Sequence, residues 1–139
     1  EFGHIILKEN GIKCNCGQNG CFEKYAGIKA FKDKIRKELE LDEQTSGKEI
    51  VKIINNNPNN QIIKKVIDEY VENLTDGLVI ILNKYDVNTI DIGGGFFYYR
   101  HILLKKIKNR LEEKIKRNID IKIATLGNDA GIIGATIKE

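Results

Sequence analysis

One histidine and three cysteines crowd the start of this 139-residue chain: His4, Cys14, Cys16 and Cys21. The cysteines fall within Cys14-Asn-Cys-Gly-Gln-Asn-Gly-Cys21, and the chain has only those three. Zinc takes four nitrogen or sulfur ligands in a tetrahedron, and three thiolates with one neutral imidazole complete such a set. A filled set leaves no open position, so the metal it implies is structural rather than a Lewis acid. Gly17 and Gly20 lie between the cysteines and let the backbone curl tightly around an ion. The competing readings are three unrelated thiols or a disulfide. A disulfide leaves one thiol over and suits an oxidising compartment, whereas the chain reads as cytosolic. Two carboxylates flank the cluster, Glu1 and Glu23.

These residues need elements to hold them. Ile5–Leu7 reads as a brief strand, and Asn10-Gly11 as a turn compatible with a hairpin. From Phe22 to Leu41, Tyr25, Ile28, Phe31, Ile35 and Leu39 recur every three or four positions, which predicts an amphipathic helix broken near Gly27. Residues 42–47 are polar and read as a loop, with Ser46 capping a short helix over Lys48–Asn55. Pro58, the only proline, marks a break. The longest helix spans Asn60–Tyr85, with one wide apolar stripe through Ile63, Val66, Ile67, Tyr70, Val71, Leu74, Leu78, Ile81 and Leu82. Leu78–Leu82 is apolar nearly all round, so deep burial is expected there.

Val87–Ile92 reads as a strand closed by Gly93-Gly94-Gly95. A helix over Tyr99–Arg117 follows, with Leu104, Ile107, Leu111 and Ile115 facing the core. Asp120–Thr125 is a second strand, and Ala130–Ile137 a final small-residue helix capped by Asn128 or Asp129. This β-α-β-α order implies a parallel strand pair joined by a crossover helix, hence an α/β fold.

The bulk numbers bound the class. An apolar fraction of 41% and a charged fraction of 31% are those of an ordinary globular domain. No apolar run nears the roughly 20 residues that a membrane helix needs. No signal peptide is visible, so a cytoplasmic location and no membrane partner are expected. The net charge of +3 is spread among acidic residues along the helices, which reads as solvated surface rather than a nucleic-acid face. The chain has no Met, even at position 1, so it is expected to be a piece of a longer protein.

Glu1-Phe-Gly-His4 followed by Cys14-x-Cys-Gly-x-x-Gly-Cys21-x-Glu23 resembles the signature of the ROK family, bacterial sugar kinases and sugar-responsive repressors. Asn88-Thr-Ile-Asp-Ile-Gly-Gly-Gly95 is similar to that family's adenosine-side glycine motif. Leu126-Gly-Asn-Asp-Ala-Gly-Ile-Ile-Gly-Ala135 is similar to its C-terminal signature. The resemblance covers essentially the whole chain but only the C-terminal half of a family member. It implies an actin-like (ribonuclease H-like) domain with a zinc-stapled loop. Residues 1–23 would form the zinc and sugar loop and residues 86–139 a nucleotide-side βαβα unit, with the N-terminal domain absent.

The resemblance also implies roles. Glu1, His4 and Glu23 would contact a hexose or N-acyl hexosamine, and His4, Cys14, Cys16 and Cys21 would bind Zn2+. Gly93, Gly94 and Gly95 would lie against the adenosine side of ATP. The simpler readings are a carboxylate favoured by a helix N-terminus for Glu23 and a tight turn for the glycines. Asp91-Ile-Gly-Gly also looks like the N-terminal phosphate loop of actin-like kinases, but it follows the cysteines, lacks the Thr and leads into a helix. In the family the general base is an Asp of the N-terminal domain, and nothing in residues 1–139 matches it. The parent is thus expected to be an ATP- and Mg2+-dependent hexose kinase, glucokinase- or fructokinase-like. The 139 residues alone are expected to be inactive. A sugar-sensing repressor, the only case with a nucleic-acid partner, is the alternative. Family members also imply a homo-oligomer.

Overall fold

The computed structural model describes residues 9–124 and 133–135, the side chains of Glu23 and of 133–135 excepted. In chain order the elements are α1 (Glu23–Ala26), α2 (Ile28–Glu38), α3 (Gly47–Asn56), α4 (Gln61–Tyr85), β1 (Thr89–Ile92), a 3-10 segment (Gly94–Tyr99), α5 (Arg100–Ile115), β2 (Asp120–Ile123) and β3 (Ile133–Ala135). The break expected near Gly27 is real: its extended backbone (φ −65°, ψ 148°) separates α1 from α2.

Each boundary has a local cause. The Ser46 hydroxyl accepts the Glu49 N–H at 3.2 Å and starts α3. Asn60 Oδ1 accepts the N–H groups of Ile62 and Ile63 at 2.9 and 3.0 Å, which satisfies two of the four free donors at the start of α4. Asp86 and Lys116 end α4 and α5 in the left-handed region, at φ 51° and 58°.

The 25-residue α4 is the spine, touching α1, α2 and α5. Its stripe is buried as expected, from Ile63 to Leu82. The all-round burial expected of its last third does not hold, since Ile80 is 40% exposed. On α5 the buried residues are Leu103, Ile107 and Leu111. Leu103, four residues before Ile107, takes the place expected of Leu104, three before it; both positions share the helix face, and packing buries Leu103.

β1 pairs in parallel with β2, Ile90 opposite Ile121, and α5 is the crossover. Ile90 and Ile92 are fully buried in the helix-covered core. One expectation fails. Ile133–Ala135 is not helix but strand, antiparallel to β1 with Ile90 opposite Ala135 and Ile92 opposite Ile133. The free edge of β1 offers these residues a ladder of backbone hydrogen bonds, and that long-range pairing outweighs the helical tendency of small residues. The remaining positions of that segment, Asn128 and Asp129 included, lie outside the described residues.

A charged clip ties α5 to α4. Lys114 Nζ donates to Thr75 Oγ1 at 2.7 Å and to Asp76 Oδ1 at 2.6 Å, and pairs with Glu72, which Arg110 also holds. The Lys114 ammonium, and then the Arg110 guanidinium, hold the Glu72 carboxyl below its ordinary pKa. A carboxyl depressed in the folded state adds stability above the unfolded carboxylate pKa, about 4.3, and loses it as pH falls through the folded value. The melting-temperature gap between the native chain and Glu72→Gln should therefore narrow on acidification from neutral pH. A gap that persists in acid would contradict it.

Candidate functional site

The cysteine loop has almost no apolar core of its own. Ile12 is 51% exposed, and the buried loop residues include Cys14 and Cys21. The loop closes through its backbone instead. Cys14 N–H donates to Gln18 O at 2.9 Å, Gly17 N–H to Cys14 O at 3.0 Å and Gly20 N–H to Ile12 O at 2.8 Å. Lys13 and Asn19 form an antiparallel bridge across it. Asn10 turns the chain before it at φ 57°, and the two glycines take positive φ, 95° at Gly17 and 80° at Gly20. A side chain at those angles would be strained, which explains glycine between the cysteines.

This folding brings the three sulfurs together. The Sγ atoms of Cys14, Cys16 and Cys21 all lie within 4.8 Å of one another, with Cys16 and Cys21 at 3.4 Å. A tetrahedral zinc at the usual Zn–S length of about 2.3 Å needs its sulfurs about 3.8 Å apart, so the spacing fits a shared ion. The donor set fits as well. Burial first, then the sulfurs of Cys16 and Cys14 beside it, push the Cys21 thiol up to about 12, while the backbone at Gln18 draws Cys16 below its ordinary value. Three sulfurs this close cannot all carry charge without a cation among them.

The loop is fastened to the rest of the fold at its end. Tyr25 Oη accepts the Ile12 N–H at 2.9 Å, which links α1 to the loop's first turn. Tyr70 Oη, buried on α4, donates to Ala26 O at 2.7 Å. Phe22, next to Cys21, is 2% exposed and lies over Gly77 of α4. Sequence reasoning missed this last contact, although a lone glycine within an apolar helical stripe was a signal for it.

Of the other expected site residues, Glu23 is the first residue of α1, two positions after Cys21. Glu1 and His4 lie outside the described residues. Gly93, Gly94 and Gly95 close β1 and open the 3-10 segment, with Gly94 at φ 69°. A Cβ on Gly95 would stand 3.3 Å from Ile28 Cγ2, so the glycine turn lies against the start of α2. The glycine turn and the cysteine loop are thus bridged by one short stretch, Phe22 to Ile28. The far end of the 3-10 segment is anchored by Tyr99, which packs on Phe31 at 5.5 Å and whose Oη donates to Gly47 O at 2.9 Å.

The sequence model of the ROK family matches residues 1–137. The chain belongs to the ROK family. Among its relatives, a glucokinase of Halalkalibacterium halodurans is 31% identical over 96% of this chain and 45% of its own length. A xylose repressor of Bacillus spizizenii is 25% identical over 96% of this chain and 35% of its own length. This ROK chain therefore spans about half the length of the curated glucokinase it matches. Its fold is similar to that of about half of a ROK glucokinase from Streptomyces griseus, solved with glucose and AMPPNP. The TM-score is 0.72 at 19% identity, covering 91% of this chain and 46% of that one. The expected α/β fold is therefore present, shared with solved members of the family. No described helix is long and apolar enough to cross a membrane.

Proposed function

We propose that this chain is the C-terminal domain of a ROK sugar kinase, which transfers a phosphoryl group from ATP to a hydroxyl of a hexose or N-acyl hexosamine. The observation that carries the reading is the glucokinase similarity extending over nearly all of the chain. In this reading Cys14, Cys16, Cys21 and His4 hold a zinc ion, which supplies a cross-link in place of a hydrophobic core. Glu1, His4 and Glu23 then face the sugar. Carboxylates suit that task because each accepts several hydrogen bonds and so reads the orientation of neighbouring hydroxyls. Gly93–Gly95 lie against the nucleotide, where the lack of side chains permits close backbone approach.

Phosphoryl transfer is governed by positioning and charge stabilisation, with a base to take the hydroxyl proton. The base is assigned to the partner domain of the whole protein. A coupled assay of ATP-to-ADP turnover tests this. Hexose-dependent turnover is expected from the whole protein and none from the 139 residues alone. Turnover by the isolated chain would contradict the assignment of the base. A second reading, the sugar-sensing domain of a ROK repressor, is favoured by the xylose repressor similarity. That reading is preferred if the whole protein gives no ADP with any hexose or N-acyl hexosamine and instead binds operator DNA in a sugar-dependent way.

A further inference from the structure

α4 carries a single glycine, Gly77, in the middle of its buried stripe. Alanine is the better helix former by intrinsic propensity, so nothing in the helix itself asks for glycine there. The neighbour explains it. A Cβ built on Gly77 would stand 2.1 Å from Cε1 and 2.2 Å from Cδ1 of the Phe22 ring, with Cζ at 2.9 Å. The Phe22 ring therefore occupies the space that any other residue would fill. Phe22 is bonded directly to Cys21, and Cys21 is fully buried beside the other two sulfurs. Glu23 follows Phe22 and opens α1.

We propose that Gly77 is a positioning residue for the cysteine cluster: its notch seats the Phe22 ring, and the seated ring fixes where Cys21 presents its sulfur. The inference rests on the metal-binding reading of the cysteines. Displacing the ring by a methyl group moves the backbone on both sides of Phe22. Two of the three sulfurs, those of Cys14 and Cys16, lie earlier in the loop, where the Cys14 backbone is bonded to Gln18 and Gly17. The displacement therefore changes the spacing between Cys21 and its partners rather than shifting the cluster as a unit.

The test compares Gly77→Ala with the native full chain in zinc competition against a chromophoric chelator and in the visible spectrum of the cobalt-substituted form. Metal affinity should fall by about 10- to 100-fold, the usual cost of disturbing groups that orient metal ligands. The sulfur-to-cobalt charge-transfer bands should shift. Ile107→Val, a destabilising change in the α5 core, should leave affinity and spectrum unchanged. Adding Phe22→Leu to Gly77→Ala removes two of the three clashing ring atoms, Cε1 and Cζ, and leaves a flexible Cδ that can turn aside, so it should recover part of the affinity. If Gly77→Ala does not fold, recovery of folding in the double variant supports the notch, and failure to recover overturns it. Native affinity and spectrum in Gly77→Ala would overturn the inference while leaving the metal site intact. A native chain that binds neither zinc nor cobalt would instead overturn the metal reading beneath it.

Discussion

Cys21→Ser should abolish tight metal binding and release the segment from Asn10 to Gly20 from its folded form, while α4 and α5 stay folded. The reason lies in what the loop lacks. Its buried residues include two thiols, and its backbone is held by a few hydrogen bonds, those of the Cys14, Gly17 and Gly20 amides and that from Ile12 to Tyr25. Such bonds contribute only about 0.5–1.5 kcal/mol each against water. Fixing the backbone of one residue costs about 1–2 kcal/mol, so a dozen ordered residues need another source of stability. Structural zinc sites supply on the order of 10–16 kcal/mol in small metal-folded modules. Serine is nearly the size of cysteine, so the variant removes a ligand without opening a cavity. Hydrogen exchange of the Cys14, Gly17 and Gly20 amides is the measurement. Protection at these amides should vanish in Cys21→Ser and in chelator-treated native chain alike. Retained protection in both would mean that the loop holds itself together without a metal.

Leu78→Ala should strongly destabilise the helical body. Leu78 is fully buried at the start of the last third of α4, among the buried residues Leu74, Ile81 and Leu82. Truncating a buried leucine costs about 2–5 kcal/mol, since the lost transfer energy adds to that of the cavity left behind. That is a large share of the roughly 5–15 kcal/mol that separates folded from unfolded domains. Urea unfolding should show a much lower midpoint with an unchanged slope. Ile80→Ala, two positions away and 40% exposed, should shift stability by within about 0.5 kcal/mol. Equal losses at the two positions would mean that the face assignment of α4 is wrong.

Features set by neighbours in sequence were legible without coordinates. The apolar stripe of α4, the cap at Ser46, the break at Gly27 and the crossover from β1 through α5 to β2 all follow from local spacing and turn chemistry. The cysteine cluster was legible for the same reason, because three thiols within eight consecutive residues, with two glycines to turn the chain, are close in sequence as well as in space. What escaped depends on contacts between distant parts of the chain. Ile133–Ala135 looks helical by composition, and only the open edge of β1 makes it a strand. Leu103 and Leu104 are indistinguishable by type, and the core selects one. The seat of Phe22 against Gly77 joins positions far apart in the chain, and local pattern could show only that the glycine was unusual. The bridge from the cysteine loop to the glycine turn through Ile28 and Gly95 was hidden in the same way.

The most direct measurement of the central claim is the zinc content of the chain as purified, by elemental analysis against protein concentration. About one zinc per chain is expected, because a closed set of three cysteines and a histidine binds tightly enough to survive purification. Well under about half a zinc per chain, in folded protein with its thiols reduced, would contradict it.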